Sequence, residues 1–127
     1  MILGIGTDVV QIKRIQKACQ NEKFLQRIYT PGELRRAEAL DVSRRGAFFA
    51  NRYAAKEAFV KAVGCGIGAS LSWQDIDISN NENGAPVCTL SKKATAFLCQ
   101  FFNTDEVKIH LSLSDDQVAV ATVVLEK

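Results

Sequence analysis

NRYAAKEAFVKAV, residues 51–63, is the stretch on which the reading of this chain turns. At helical spacing Ala54, Ala55, Ala58, Phe59 and Ala62 share one face. Charge occupies the remaining arc. Glu57 and Lys61, four apart, lie on one flank, and Arg52 and Lys56, also four apart, lie on the other. Gly64 is the natural stop, because glycine tolerates the left-handed conformation that ends many helices. Ser43 is a suitable cap at the other end, so the helix is expected over about 43–63.

Working outward, ILGIGTDVVQI (2–12) reads as a strand over 2–8 that ends on a carboxylate. Brought together, Asp8 and Glu57 make an oxygen site for a hard divalent ion. Arg52, Lys56 and Lys61 then neutralise phosphates bound to it, which points to a phosphorylated substrate. Each part also has a plainer reading. Taken alone, the polar arc is an exposed face with a Glu57–Lys61 pair worth a few tenths of a kcal/mol. Asp8-Val9-Val10-Gln11 also fits a capping box, so Asp8 is equally a helix start, and one carboxylate has oxygens for both roles. Gly4 and Gly6 allow a backbone or a ligand to come close.

The rest of the chain supplies a framework. Ile12, Ile15 and Cys19 fall at helical spacing within 9–20, and 21–28 adds a further turn or two. Thr30-Pro31-Gly32-Glu33 is a strong helix start, with Thr30 as cap, Pro31 at the first position and Glu33 returning a bond. That helix fades near Asp41. Residues 75–79 and 86–90 flank Asn80-Asn81-Glu82-Asn83-Gly84 as a hairpin. A helix follows over 92–102. Residues 107–114 alternate cleanly, and Asp115-Asp116-Gln117 turns into an apolar strand over 118–125. The order β-α-α-α-β-β-α-β-β gives an α+β fold, a largely antiparallel sheet packed against helices, in one domain spanning 1–127.

Composition narrows the chemistry. The net charge of +2 hides an asymmetry: 13–61 carries 12 Lys/Arg against 5 Asp/Glu, whereas 62–127 carries 4 against 8. The basic half attracts an acidic partner, a phosphorylated ligand or nucleic acid. Nucleic acid fits less well, since that stretch lacks a regular series of aromatics for stacking bases. Cys19, Cys65, Cys88 and Cys99 form no CxxC pair and fit reduced thiols in a cytoplasm. No apolar run approaches membrane-spanning length. His110 is the only histidine, which excludes a histidine metal cluster within one chain and disfavours a Ser-His-Asp arrangement. Gly64-Cys65-Gly66-Ile67-Gly68 follows a helix, whereas the dinucleotide fingerprint joins a strand to a following helix, so it reads as a helix stop and loop.

GIGTDVVQIKRI (4–15), FLQRIYTPGE (24–33), NRYAAKEAFVKAVGCGIG (51–68), WQDIDI (73–78), NGAPVCTL (83–90) and HLSLSDDQVAVATVVLE (110–126) together resemble the bacterial holo-acyl-carrier-protein synthases, the short class of 4′-phosphopantetheinyl transferases. The blocks run in the family's order over essentially the whole chain. The resemblance implies that fold, and transfer of phosphopantetheine from coenzyme A to a serine of apo-acyl carrier protein with release of 3′,5′-ADP. It further implies Mg2+, a role in fatty acid synthesis, and a homotrimer with active sites at its subunit interfaces. Carried over residue by residue, Asp8 and Glu57 look like the metal carboxylates and Lys61 like the cation beside the reacting phosphate. Arg52, Lys56, the Gly64 and Gly66 loop, Pro86, Ser112 and Ser114 look like parts of the coenzyme A site. Arg14 and its neighbours look like the carrier-protein docking surface. Two positions depart from the pattern: Asp115 stands where a histidine is usual, which puts the coenzyme contacts in question, and Tyr53 stands where phenylalanine is frequent, a change expected to be neutral.

Overall fold

A computed structural model describes residues 1–127. Strand β1 (Ile2–Gln11) is followed by α1 (Ile12–Ala18), α2 (Glu22–Ile28), α3 (Pro31–Glu38) and the long α4 (Val42–Val63). A 3₁₀ turn at Trp73–Asp75 leads into β2 (Ile76–Asn80) and β3 (Pro86–Leu90), then α5 (Lys92–Phe101), β4 (Lys108–Asp115) and β5 (Val118–Glu126). All strand pairing is antiparallel, but in two sheets, β1-β5-β4 and the β2-β3 hairpin, rather than one.

The three-stranded sheet buries one face against α4. Along β5 the inward residues Ala119, Ala121, Val123 and Leu125 are buried, while Val118, Val120, Thr122 and Val124 point outward. The α4 residues Ala54, Ala55, Ala58 and Phe59 are fully buried and Ala62 nearly so, which is the face the sequence indicates. Close approach to β1 depends on glycine at two points. A Cβ on Gly6 lands 1.9 Å from the Ala58 carbonyl oxygen, and one on Gly4 lands 2.0 Å from that of Ala62. Two strand residues advance about 6.8 Å and four helical residues about 6 Å, so strand and helix stay in step. That register sets the next inward residue of β1, Asp8, one turn further along α4, beside 54–57.

The strand is longer than the sequence suggests. Asp8 through Gln11 pair with Ala121 through Val118, so Asp8 sits within a ladder and is no helix cap. A long apolar β5 offers a full row of backbone partners, and this outweighs a local capping pattern. Helix α1 therefore starts at Ile12, with Gln11 as a cap whose side chain makes no bond. Residues 22–28 form a helix of their own, capped by Asn21, so four helices and not three separate β1 from β2. Helix α4 begins after Asp41 rather than at Ser43, without a side-chain cap. The capping box at Thr30 and Glu33 forms as expected, Gly64 ends α4 at φ +85°, and Ser91 caps α5. In the hairpin, Asn81 Oδ1 accepts from the Asn83 and Ala85 amides, and Gly84 turns the chain at φ +84°.

Candidate active site

Three of the residues picked out from the sequence gather where β1 crosses α4. Lys61 Nζ donates to Asp8 Oδ1 at 3.1 Å and to the Thr7 carbonyl at 3.1 Å. Asp8 is largely shielded and Lys61 is half exposed, at 16% and 54% of their side-chain surface. Glu57 lies one turn before Lys61 on the same stripe, and Tyr53 one turn before that. The Tyr53 ring stacks between Phe24 and Trp73, at 6.2 and 5.9 Å between centroids. Burial raises the pKa of its hydroxyl; Glu57 raises it further, Arg14 opposes this, and Asp8 adds a smaller push upward. Tyr53 thus lies on the α4 stripe that bears Glu57 and Lys61, with its ring held in an aromatic stack. Sequence reasoning treated it as neutral, although the 53–57 spacing held the signal.

This donor set fits a hard cation. Asp8 and Glu57 offer only oxygens, and no group of three or more His, Cys, Asp or Glu side chains gathers in the chain. Two carboxylates leave most coordination positions to water and substrate phosphates, the arrangement Mg2+ commonly adopts. The Gly64–Gly68 loop extends the same edge, because it leaves α4 three residues after Lys61. Gly64 and Gly66 both have positive φ, and their Cα atoms face open space.

Lys56 lies elsewhere. Its ammonium points inward, fully buried, and donates to the Ile28 carbonyl at 2.6 Å, Glu33 Oε1 at 2.7 Å and the Trp73 carbonyl at 3.2 Å. All three donors are used, so none is left for a phosphate, and the expected coenzyme contact by Lys56 is corrected to a contact with the core. Burial pushes its pKa down, and Glu33 acts against that.

Arg52 occupies the same inward flank and is buried too, at 6% exposure, but against the hairpin. Its Nη2 donates to Asn80 Oδ1 at 2.6 Å, its guanidinium covers the Phe48 ring at 4.0 Å, and its buried Nε has no partner. Pro86 pairs with Asn80 across the hairpin, so Arg52 and Pro86 are close. Ser112 and Ser114 are exposed on the outer face of β4, whereas Asp8 faces inward to α4. Within one chain the candidate residues therefore form separate groups: Asp8, Glu57 and Lys61 at the β1–α4 edge, Arg52 and Pro86 by the hairpin, and the two serines across the sheet. Asp115 accepts from Asn51 Nδ2 at 2.7 Å, which ties its carboxylate to α4. Arg14 is exposed and shares a shallow basic concavity with Lys17, Lys23, Phe24 and Arg27.

Comparison with known proteins identifies the family. Residues 4–123 match the model of a family described as the 4′-phosphopantetheinyl transferase superfamily. A holo-[acyl-carrier-protein] synthase of Shewanella piezotolerans is 44% identical, with 99% of each chain aligned. The crystal structure of a holo-(acyl-carrier-protein) synthase from Bacillus anthracis, in complex with CoA (3′,5′-ADP), superposes with a TM-score of 0.82 at 41% identity, over 98% of this chain and 96% of that one. The holo-[acyl-carrier-protein] synthase of Neisseria meningitidis gives a TM-score of 0.87 at 36% identity over the full length of both chains.

Proposed function

Because the chain belongs to the 4′-phosphopantetheinyl transferase superfamily, we propose that it moves 4′-phosphopantetheine from coenzyme A to a serine of apo-acyl carrier protein, releasing 3′,5′-ADP. The observation that carries this reading is the meeting of Asp8 and Lys61 beside Glu57 at an open edge, in a chain similar over its whole length to synthases of that name. The serine hydroxyl comes from the carrier protein, so the enzyme needs no nucleophile of its own. The serine oxygen bonds to the phosphorus bearing pantetheine and its proton passes to solvent water, while the bond to the bridging oxygen breaks and 3′,5′-ADP leaves with that electron pair.

Asp8 and Glu57 hold Mg2+ in this reading. When bound, Mg2+ neutralises charge on the pyrophosphate and on the leaving group. Lys61, anchored by Asp8 and the Thr7 carbonyl, directs a cation to the same place. The Gly64 and Gly66 loop gives close approach without side chains. Arg52, Pro86, Ser112 and Ser114 hold other parts of coenzyme A. Those groups lie apart from Asp8 within one chain, which supports a homotrimer whose sites combine residues of neighbouring copies. The outer sheet face supports it too: Ile5 and Val9 are 65% and 62% exposed, and Val118, Val120 and Val124 continue the apolar surface. Residues 1–127 act as one domain in a cytoplasm, where the four free cysteines stay reduced and fatty acid synthesis uses the product.

Intact mass spectrometry of apo-acyl carrier protein incubated with this protein, coenzyme A and Mg2+ tests the reaction. One phosphopantetheine is expected on the carrier serine, and none with chelator. An unmodified carrier in all samples rejects the assignment.

The docking surface follows from charge. Carrier proteins are acidic, and Arg14, Lys17, Lys23 and Arg27 project from α1 and α2 near the site. Arg14→Glu is expected to raise the carrier-protein KM about tenfold, with little change in that for coenzyme A. Steady-state kinetics with each substrate varied in turn decide this, and an equal effect on both argues against the surface.

A further inference from the structure

Helix α4 carries Glu57 and Lys61, and the face it presents to the sheet is mostly alanine, with Phe59 the one large side chain among Ala54, Ala55, Ala58 and Ala62. Its contact with β1 is alanine against glycine, and its contact with β5 adds Ala119 and Ala121. These contacts fix how closely the helix approaches the sheet but include no hydrogen bond from a side chain on the turn that bears Glu57. A directional anchor sits on the turn that bears Glu57. The three donors of Lys56 end on three segments: the Ile28 carbonyl at the end of α2, Glu33 in the first turn of α3, and the Trp73 carbonyl ahead of β2. Glu33 is just as fully engaged. Its Oε1 also accepts from the Thr30 amide at 2.8 Å, and its Oε2 accepts from the Ile78 amide at 2.7 Å. Both side chains are completely buried.

An ion pair so placed is weak evidence for stability, because desolvation offsets its attraction, but its hydrogen bonds tie one turn of α4 to three separate segments. We propose that Lys56 and Glu33 are positioning residues for the reaction: the pair sets the rotation of α4, and so the placement of the Glu57 carboxylate beside Asp8. This rests on the reading of Asp8 and Glu57 as metal carboxylates. Moving a carboxylate by about 1 Å loosens its metal and slows transfer while leaving coenzyme contacts elsewhere intact.

The test compares wild type with Lys56→Met/Glu33→Leu, which removes both charges together and leaves neither buried alone. Mn2+ is titrated in the presence of coenzyme A and followed by electron paramagnetic resonance, and coenzyme affinity is measured by calorimetry in chelator. The double variant is expected to bind Mn2+ about tenfold more weakly, with kcat reduced and coenzyme affinity within about twofold of wild type. Glu33→Gln keeps the shape and an accepting oxygen, so it serves if the double variant does not fold, with a smaller shift in the same direction. Unchanged Mn2+ binding and kcat in either folded variant overturn the proposal. A fall in coenzyme affinity with kcat unchanged also overturns it, and returns Lys56 to the coenzyme site. Wild type that binds no Mn2+ removes the metal reading and this proposal with it, an outcome the control titration separates from the variants' behaviour.

Discussion

Asp8→Ala and Glu57→Ala are each expected to yield a folded protein whose kcat is lower by about a thousandfold or more. The size follows from charge. Removing one of two carboxylates from a cation site forfeits several kcal/mol of transition-state stabilisation, and about 4 kcal/mol corresponds to a factor of a thousand. The fold is expected to survive, because neither side chain supports the core. Asp8 has one side-chain partner, the half-exposed Lys61, and with one partner open to solvent the pair contributes only about 1 kcal/mol. Asp8 also keeps its place in the ladder through its backbone, which the substitution leaves unchanged. Thermal unfolding followed by circular dichroism should shift by only a few degrees, while single-turnover transfer at saturating Mg2+ collapses. Near-normal turnover by either variant would remove that residue from the metal site. Lys61→Ala separates charge from coordination: it should lower transfer without weakening Mn2+ binding.

Local chemistry was legible where the sequence states both partners of an interaction. Thr30 and Glu33 are three residues apart and form their capping box; Gly64 ends α4; Asn81 through Gly84 turn the hairpin. Asp8 was placed correctly beside α4, but its alternative role as a cap could not be dismissed until β5 was seen to pair as far as Gln11. Lys56 was misjudged for a related reason. A helical projection treats lysine as polar and assigns it outward, yet position 56 lies in line with Phe49, Phe59 and Val63, all buried. That spacing was a usable signal. What the sequence could not supply was the partner, since Glu33 lies 23 residues away and already had an explanation as a cap. Asp115 is similar: its partner Asn51 is 64 residues distant, and only the fold brings the two together. Tyr53 looks like an isolated change until Phe24 and Trp73 are found on either side of its ring.

The proposed division of the site across copies leads to the other large effect. Arg52 and Glu57 are five residues apart on α4, about 140° round the helix, so they serve different flanks. If one copy provides Asp8, Glu57 and Lys61 while its neighbour provides Arg52 and Pro86, two damaged chains can repair one another. Asp8→Ala destroys the first half-site. Arg52→Met removes the guanidinium from the second while keeping an apolar stem over Phe48, and should raise the coenzyme KM about tenfold or more. Assayed separately at low coenzyme A, both variants should be nearly inactive. Co-expressed at equal levels, they form sites in which the Asp8 half comes from an Arg52→Met chain and the Arg52 half from an Asp8→Ala chain. Random assembly in a cyclic oligomer makes about one quarter of all sites intact, whatever the ring size. Isolation through two different affinity tags discards the single-variant rings, and each mixed trimer then has one intact site in three, so the isolated assemblies should recover about a third of wild-type activity, with native mass spectrometry showing their copy number. If Asp8 and Arg52 of the same chain served one site, every site would carry a defect and mixing would restore nothing. Val120→Glu adds the complementary result: a charge in the outer face should separate the copies and abolish transfer, although residues of the β1–α4 edge stay in place.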